Sequence, residues 1–298
     1  VTGADTRPAM GLIGTGPWAE TVHAPAIAAH PGLRLAGVWG RDRGKAETLA
    51  AQLAVPVFDN AEALFAACDM VALAVSPAAQ AVIAPAAARA GCHLLLEKPL
   101  APTAAEGRIV ADAIREAGVR AVSFHTLTFL PALVARLGAL RDGGDVVAAR
   151  YDYRSDALVT GPFASSAWRQ TRAGALFDIG PHALSMLEPL LGRVTGIACR
   201  TLRHARAELR LTHEGGALSE VAIDLATAPD GARLRVDRRD RPPEWIRPEV
   251  DTAAAYGRAL DALLVRHPDE TGARIETALR YVTLLERAID AAPGEDSL

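Results

Sequence analysis

Lysine is almost missing from this chain. Of its 32 basic residues only Lys45 and Lys98 are lysines, and all the others are arginines. A surface charge can be either residue, whereas a site that needs a compact ammonium able to change its pKa needs lysine. Cysteine is scarce too. Cys68, Cys92 and Cys199 lie far apart, which gives no metal-ligand spacing and reads as buried thiols in a reducing compartment, hence the cytoplasm. Aromatic residues make up 5% of the chain and alanine supplies much of the 50% that is apolar, so the core is built from small side chains. No sign of charge dominates. The net charge is −3 and the arginines are scattered, which favours neither nucleic acid nor an anionic membrane as a partner. Residues 1–8 carry Asp5 and Arg7 but no apolar core, so they do not read as a signal peptide. The uncharged run 70–88 has the length of a membrane span. Ser76-Pro77, Gln80 and Pro85 interrupt it, and a strand followed by a helix explains it better.

What is present is an alternation of short apolar strands and helices. Met10-Gly11-Leu12-Ile13-Gly14 is a strand that runs into Gly14-Thr15-Gly16-Pro17-Trp18-Ala19, which opens a helix reaching to about His30. This is the dinucleotide fingerprint with alanine in its last position. Gly14 permits the tight turn, Gly16 lets backbone approach a pyrophosphate, and Pro17 suits the first helical position. Thr15 and Trp18 border the same place. The second strand, 33–39, ends in Gly40-Arg41-Asp42-Arg43. An acid at that end bonds the ribose 2′-hydroxyl and repels a 2′-phosphate. Gly40 leaves room and Arg41 offers a guanidinium for phosphate, so NADP is preferred over NAD. The competing arrangement leaves Arg41 in solvent and gives the ribose to Asp42.

The alternation continues with helix 45–53, a short strand at Val57-Phe58, helix 61–67 and strand 70–75. Ser76-Pro77 follows as a turn at a carboxyl end, where a cofactor can pass. Helix 79–90 leads to the Leu94-Leu95-Leu96 strand, and Thr103-Ala104-Ala105-Glu106 is a capping box opening a helix to Gly118. Strand 119–124 closes this unit. The pattern predicts a doubly wound parallel sheet, an α/β Rossmann domain over residues 1–124.

Beyond Phe124 the order changes. Helix 130–140 precedes strand 146–153, a polar loop 155–166, and a helix that begins about Gly180-Pro181 and ends at Leu191. Strands 194–202, 207–212 and 217–226 follow, the last two joined by a hairpin at His213-Glu214-Gly215-Gly216. Asp230-Gly231 reads as another hairpin turn, leading to strand 232–236. Val221, Ile223 and Leu225 face one way, with Glu220, Ala222 and Asp224 opposite, so the sheet has one wetter face. Residues 238–248 read as a charged surface loop, 252–265 and 274–291 as helices, and 293–298 as a frayed tail. Residues 125–298 thus form a second, α+β domain.

Two constellations carry chemistry. The three leucines 94–96 fit a strand buried on both faces, which delivers Glu97 and Lys98 at its carboxyl end before Pro99 stops the ladder. Ligands of open α/β sheets bind outside that end. Asp178 and His182 are four apart, so a helix would project both from one face, and an imidazole held by a carboxylate is a usual acid–base pair. An N-cap aspartate beside a half-buried histidine explains the same spacing. His23, His30 and His93 read as structural.

Gly14-x-Gly16-x-x-Ala19, Glu97-Lys98-Pro99 and Asp178-x-Gly180-x-His182, in this order, resemble the Gfo/Idh/MocA family of oxidoreductases, from about residue 10 to 292. The resemblance implies a Rossmann domain, a C-terminal domain with a large, mainly antiparallel sheet that serves substrate binding and oligomerisation, and a nicotinamide cofactor between them. It implies a homodimer or homotetramer and a catalytic set of Lys98, Asp178 and His182. Cofactor contacts are expected from Gly14, Thr15, Gly16, Pro17, Trp18, Gly40, Arg41, Ser76, Pro77, Glu97, Lys98 and Arg169. His125, Tyr153, Trp168 and Arg172 are candidates for binding a sugar-like substrate, though Tyr153 and Trp168 also suit a core. No metal is expected. Gln80 stands where many members carry histidine, Ser185 where an acid often follows, and Ala173-Gly174-Ala175 is less glycine-rich than usual. The expected reaction is hydride transfer between NAD(P) and a secondary alcohol or ketone of a sugar or polyol. The alternative is a catalytically silent NADP(H)-binding sensor or regulator, which needs the glycine turn but not the Lys, Asp and His together.

Overall fold

The computed structural model describes residues 5–265 and 268–293, the side chains of 268–271 excepted. Most of the frayed tail and the first half of the N-terminal stretch lie outside the described residues. The chain divides into two units: Val1–Phe124 with Asp251–Arg280, and His125–Val250 with Tyr281–Leu298.

The first unit is built on five parallel strands: β1 (Ala9–Ile13), β2 (Arg34–Trp39), β3 (Met70–Leu73), β4 (His93–Glu97) and β5 (Ala121–Phe124), in the order β2-β1-β3-β4-β5. Every residue of β1, β3 and β5 is buried, as apolar runs covered on both faces require. The connecting helices are α1 (Ala24–Ala29), α2 (Arg43–Leu53), α3 (Ala61–Ala66), α4 (Pro77–Arg89) and α5 (Ala104–Ala117). Side chains start four of them: Asp42, Asn60, Ser76 and Thr103 each accept a backbone N–H three residues on.

Two details differ from the sequence reading. The strand expected at Val57-Phe58 shrinks to a single bridge between Val38 and Val57. Pro56 has no N–H to extend it on one side, and Asn60 already caps α3 on the other. The helix after the glycine turn is not regular either. Ala19–His23 form a π-helical turn before α1. Pro25 supplies no N–H to the preceding turn, and the backbone widens there.

The second unit carries α6 (Pro131–Asp142), β6 (Val146–Arg154), α7 (Gly174–Leu191), β7 (Val194–Arg203), β8 (Arg206–His213), β9 (Leu218–Asp224), β10 (Gly231–Arg238) and β11 (Glu244–Ile246). Its sheet has the order β11-β10-β6-β9-β8-β7 and is antiparallel except for the β6–β9 pair. Val221 and Ile223 are buried, whereas Glu220, Ala222 and Asp224 are half-buried, as the alternation requires. Asp230-Gly231 is not a hairpin, because β6 pairs between β9 and β10. The loop expected over residues 238–248 contains β11, where Ile246 is buried opposite Leu234. The helix expected to begin at Pro181 begins at Gly174, with Pro181 and Pro189 inside it. Burial of Leu176, Ile179, Leu184, Met186 and Leu187 holds that helix together, and apolar burial of this size outweighs the lost proline N–H groups.

Helices α8 (Thr252–Leu264) and α9 (Pro268–Asp290) end the chain. The reading that put everything after residue 124 in one domain differs here, since Asp251–Arg280 belongs with the first unit. Fully buried Tyr256, Ala259 and Leu260 face that unit's core. His30 bonds Asp261 at 3.1 Å, and the Arg120 guanidinium donates to the Leu263 carbonyl at 2.8 Å. Among the described residues no helix is long and apolar enough to cross a membrane. Cys92 and Cys199 are buried and Cys68 is half-buried. Burial pushes the Cys68 thiol up to about 12 and the Cys92 thiol up to about 11.

Gly14 has φ +118°, and a Cβ there would collide with the Ala74 carbonyl. Above Gly16 a Cβ would meet nothing within 4 Å. Gly14→Ala is therefore expected to cost about 2 kcal/mol or more in a urea melt. Gly16→Ala should stay within about 0.5 kcal/mol of the parent. Equal stabilities would mean that the turn relaxes without strain.

Candidate active site

Parallel pairing puts the carboxyl ends of all five strands of the first unit on one edge. Gly14, Ser76 and Lys98 follow directly on neighbouring strands β1, β3 and β4 or their short extensions. The Gly14 N–H donates to the Trp39 carbonyl at 2.9 Å, which ties the glycine turn to the end of β2. Gly40 touches Thr15, for a Cβ on it would lie 2.6 Å from the Thr15 methyl. The open space above Gly16 leaves its backbone approachable. These features fit a dinucleotide: a pinched turn, an uncovered second glycine and an adjacent helix start.

The end of β2 carries the residues of both cofactor arrangements. Asp42 caps α2, accepting from the Lys45 N–H at 3.1 Å. Arg43 is bonded to Glu47 at 2.8 Å and Asp59 at 2.7 Å. Arg41 is exposed and makes no ion pair with a described residue. Ser76 caps α4, accepting from the Ala79 N–H at 3.4 Å, and Pro77 is that helix's first residue.

Lys98 is half-buried, and the turn that carries it is held twice. Gln80, fully buried on α4, accepts the Glu97 N–H at 2.8 Å. Its amide nitrogen lies 2.7, 3.2 and 3.0 Å from the carbonyls of Glu97, Pro99 and Leu100. The Glu97 carboxylate forms the second hold. Its Oε1 accepts from the Trp18 indole at 2.8 Å and lies 2.8 Å from His23 Nε2, while its Oε2 accepts the Lys98 N–H at 3.2 Å. His23 Nδ1 in turn lies 2.6 Å from the Tyr256 hydroxyl. Burial alone would raise the Glu97 pKa, but the His23 bond, the Lys98 charge and the Trp18 bond together hold it below the ordinary value. Burial, and then the Glu97 charge, push the Tyr256 phenol well up, so it remains a donor. Glu97, expected to touch the cofactor, therefore spends three of its acceptor directions on the protein.

Sequence reasoning placed Glu97 and Lys98 but missed Gln80, His23 and Tyr256 as their supports. His23, nine residues beyond Gly14, was readable only as structural. Tyr256 joins it across 233 positions, and no local pattern announces such a pairing. His93 does act structurally, its Nδ1 accepting the Arg120 N–H at 3.0 Å.

In the second unit Asp178 and His182 lie one turn apart on α7. Asp178 is buried and His182 half-buried. Arg169, expected to contact cofactor, holds Asp178. Its Nε and Nη2 donate to the two carboxylate oxygens at 2.9 and 3.4 Å. The guanidinium sits 4.6 Å from the Phe163 ring and 4.3 Å from the Trp168 ring, so aromatic faces fix it in place. Gly174 brings the start of α7 against the Arg169 carbonyl, where a Cβ would collide. One glycine in Ala173-Gly174-Ala175 is thus required, and it sits at the point of contact.

The other expected substrate contacts also lie in this unit. His125 is buried, edge-on to Tyr281 at 5.4 Å. Arg172 donates to the carbonyls of Leu202 at 3.2 Å and Pro293 at 2.6 Å. Tyr153 is half-buried, and burial, with the Asp178 charge, raises its phenol pKa. Ser185 donates to the His182 carbonyl at 2.8 Å.

Residues 9–125 match the family model described as "Oxidoreductase family, NAD-binding Rossmann fold", that of Gfo/Idh/MocA. D-apiose dehydrogenase of Paraburkholderia graminis is 30% identical over 170 residues, 53% of this chain and 44% of that protein. The chain thus spans under half the length of this relative. The dTDP-3,4-didehydro-2,6-dideoxy-alpha-D-glucose 3-reductase of Streptomyces antibioticus is 28% identical over 263 residues, 81% of this chain and 79% of that protein. Among solved structures, GenD2 from gentamicin A biosynthesis, in complex with NAD, shares the fold with a TM-score of 0.81. It is 22% identical and matches 96% of this chain and 94% of that one. The family-model match thus covers the Rossmann part of the chain, residues 9–125, and over the rest the solved structures share the fold.

Proposed function

We propose that this protein is an NAD(P)-dependent oxidoreductase that moves hydride between nicotinamide and a secondary alcohol or ketone of a sugar or polyol. One observation carries the reading. The half-buried Lys98 stands just beyond the carboxyl end of β4, on the same sheet edge as the Gly14–Gly16 turn and one strand removed from β1. A positive charge beside a dinucleotide site suits an oxygen on which charge develops.

Bound NAD(P) supplies the hydride acceptor or donor. The protein's residues do the rest. Backbone at Gly14–Gly16 holds pyrophosphate. Arg41 grips a 2′-phosphate, and this reading prefers NADP because Asp42 is already engaged as a helix cap. Lys98 steadies the alkoxide. His182 takes the hydroxyl proton on oxidation and returns it on reduction. Asp178, paired with Arg169, sets the field around that imidazole. Tyr153 and Trp168 are retained as substrate contacts, while Arg172 and His125 serve the fold of the second unit. The reading includes membership of the Gfo/Idh/MocA family and, as that resemblance implies, assembly as a homodimer or homotetramer, in the cytoplasm.

Lys98→Met should leave dinucleotide binding nearly intact and lower kcat roughly 10²–10³-fold in an assay of NADPH oxidation against keto-sugars. Unchanged turnover would remove Lys98 from the chemistry. Arg41→Ala should weaken NADPH about tenfold or more in a fluorescence titration and leave NADH almost unaltered. Equal weakening of both would rule out the phosphate contact. His182→Ala should flatten the pH–rate profile, and a profile identical to the parent's would move proton transfer to another group.

A further inference from the structure

The carboxylate of Glu97 is the inner end of a buried chain that begins on α8. The Tyr256 hydroxyl is 2.6 Å from His23 Nδ1, and His23 Nε2 is 2.8 Å from Glu97 Oε1. Tyr256 and His23 have no exposed surface at all, and Glu97 is 7% exposed. The hydrogen positions follow once the phenol is taken as the donor. The phenol donates to Nδ1, which leaves Nε2–H to donate to the carboxylate. The chain leads to no solvent at its Tyr256 end, so it carries no proton in or out. What it does is fix an orientation. Glu97 Oε1 also takes the Trp18 indole proton, and Oε2 takes the Lys98 N–H. A single carboxylate thus bridges the end of the glycine turn and the lysine turn.

We propose that Tyr256 and His23 are positioning residues which, through Glu97, hold the Trp18 end of the phosphate-binding turn and the Lys98 turn as one rigid piece. The inference deepens the dehydrogenase reading and rests on it for the role of Lys98. It also gives α8 a task. A segment more than a hundred residues removed from the parallel sheet supplies the donor that orders that sheet's ligand edge. The edge-on contact of Tyr256 with Phe124 at 5.0 Å and its tilted contact with His23 at 4.6 Å place the ring without the hydroxyl. Removing the oxygen alone therefore isolates the hydrogen bond.

The test uses Tyr256→Phe, His23→Gln and a packing control, Leu260→Ala, a fully buried residue on the same helix. Melting temperature, NADPH affinity by fluorescence titration and kcat at saturating substrate are measured for each. Tyr256→Phe is expected to weaken NADPH about three- to tenfold and to lower kcat by a similar factor. His23→Gln keeps a donor for Glu97 but breaks the link to Tyr256, and should behave alike. Leu260→Ala should lower the melting temperature at least as far while leaving affinity and kcat at the parent's values. The proposal is overturned if Tyr256→Phe binds NADPH as the parent does, or if Leu260→Ala loses affinity and turnover to the same extent. The affinity measurement needs no substrate. A parent protein that oxidises NADPH with no keto-sugar would sink the dehydrogenase reading, and the titration would still judge the relay.

Discussion

A buried carboxylate must be fully bonded or it costs several kcal/mol, and the first unit is arranged around meeting that demand at Glu97. Three protein donors converge on its two oxygens, from the indole of Trp18, the imidazole of His23 and the backbone of Lys98. Each donor comes from a different local structure. Trp18 stands at the start of the helical segment after the glycine turn, His23 ends the π-helical turn, and Lys98 follows β4. The widened turn at Ala19–His23 then has a reason. It ends at His23, both of whose ring nitrogens find partners. Gln80 answers the same demand for the backbone on either side, with one amide meeting the N–H of Glu97 and the carbonyls around Pro99.

Much of this architecture was legible in the sequence. Strand–glycine–helix order, apolar runs and capping residues are local signals, and they gave the parallel sheet and most helix starts. The failures share one cause. The bridge at Val57, the strand at Glu244–Ile246 and the placement of β6 between β9 and β10 all depend on partners far along the chain. Pairing across such separations leaves no periodicity to read. The start of α7 was missed for a related reason. Pro181 is a helix breaker by its own chemistry, but the apolar face around it is buried from Ala175 to Leu187, and that burial was visible only in three dimensions.

The candidate site divides along the same line. Lys98, Asp178 and His182 stand out because their residue types are unusual in their settings. The residues that hold them do not. Arg169 is one of thirty arginines, and its pairing with Asp178 depends on two aromatic rings and on Gly174. An arginine reading based on charge alone sends it to a phosphate. The geometry gives it a carboxylate, in a fork that matches both oxygens. The second unit therefore solves the problem of a buried acid with a fixed cation, whereas the first solves it with hydrogen-bond donors and a neighbouring lysine.

That contrast bears on the scarcity of lysine. Lys45 is a surface residue beside Asp42, 3.8 Å from its carboxylate and largely in solvent, so rarity by itself does not mark a functional ammonium. Place does. At Asp178 the structure uses arginine, whose planar fork immobilises both partners. The Lys98 charge lowers the Glu97 pKa while the Lys98 backbone N–H donates to the same carboxylate. The ammonium keeps a flexible stem and three donors. Lysine at this place thus combines a compact charge near Glu97 with a backbone N–H on its carboxylate, where arginine would bring a planar fork.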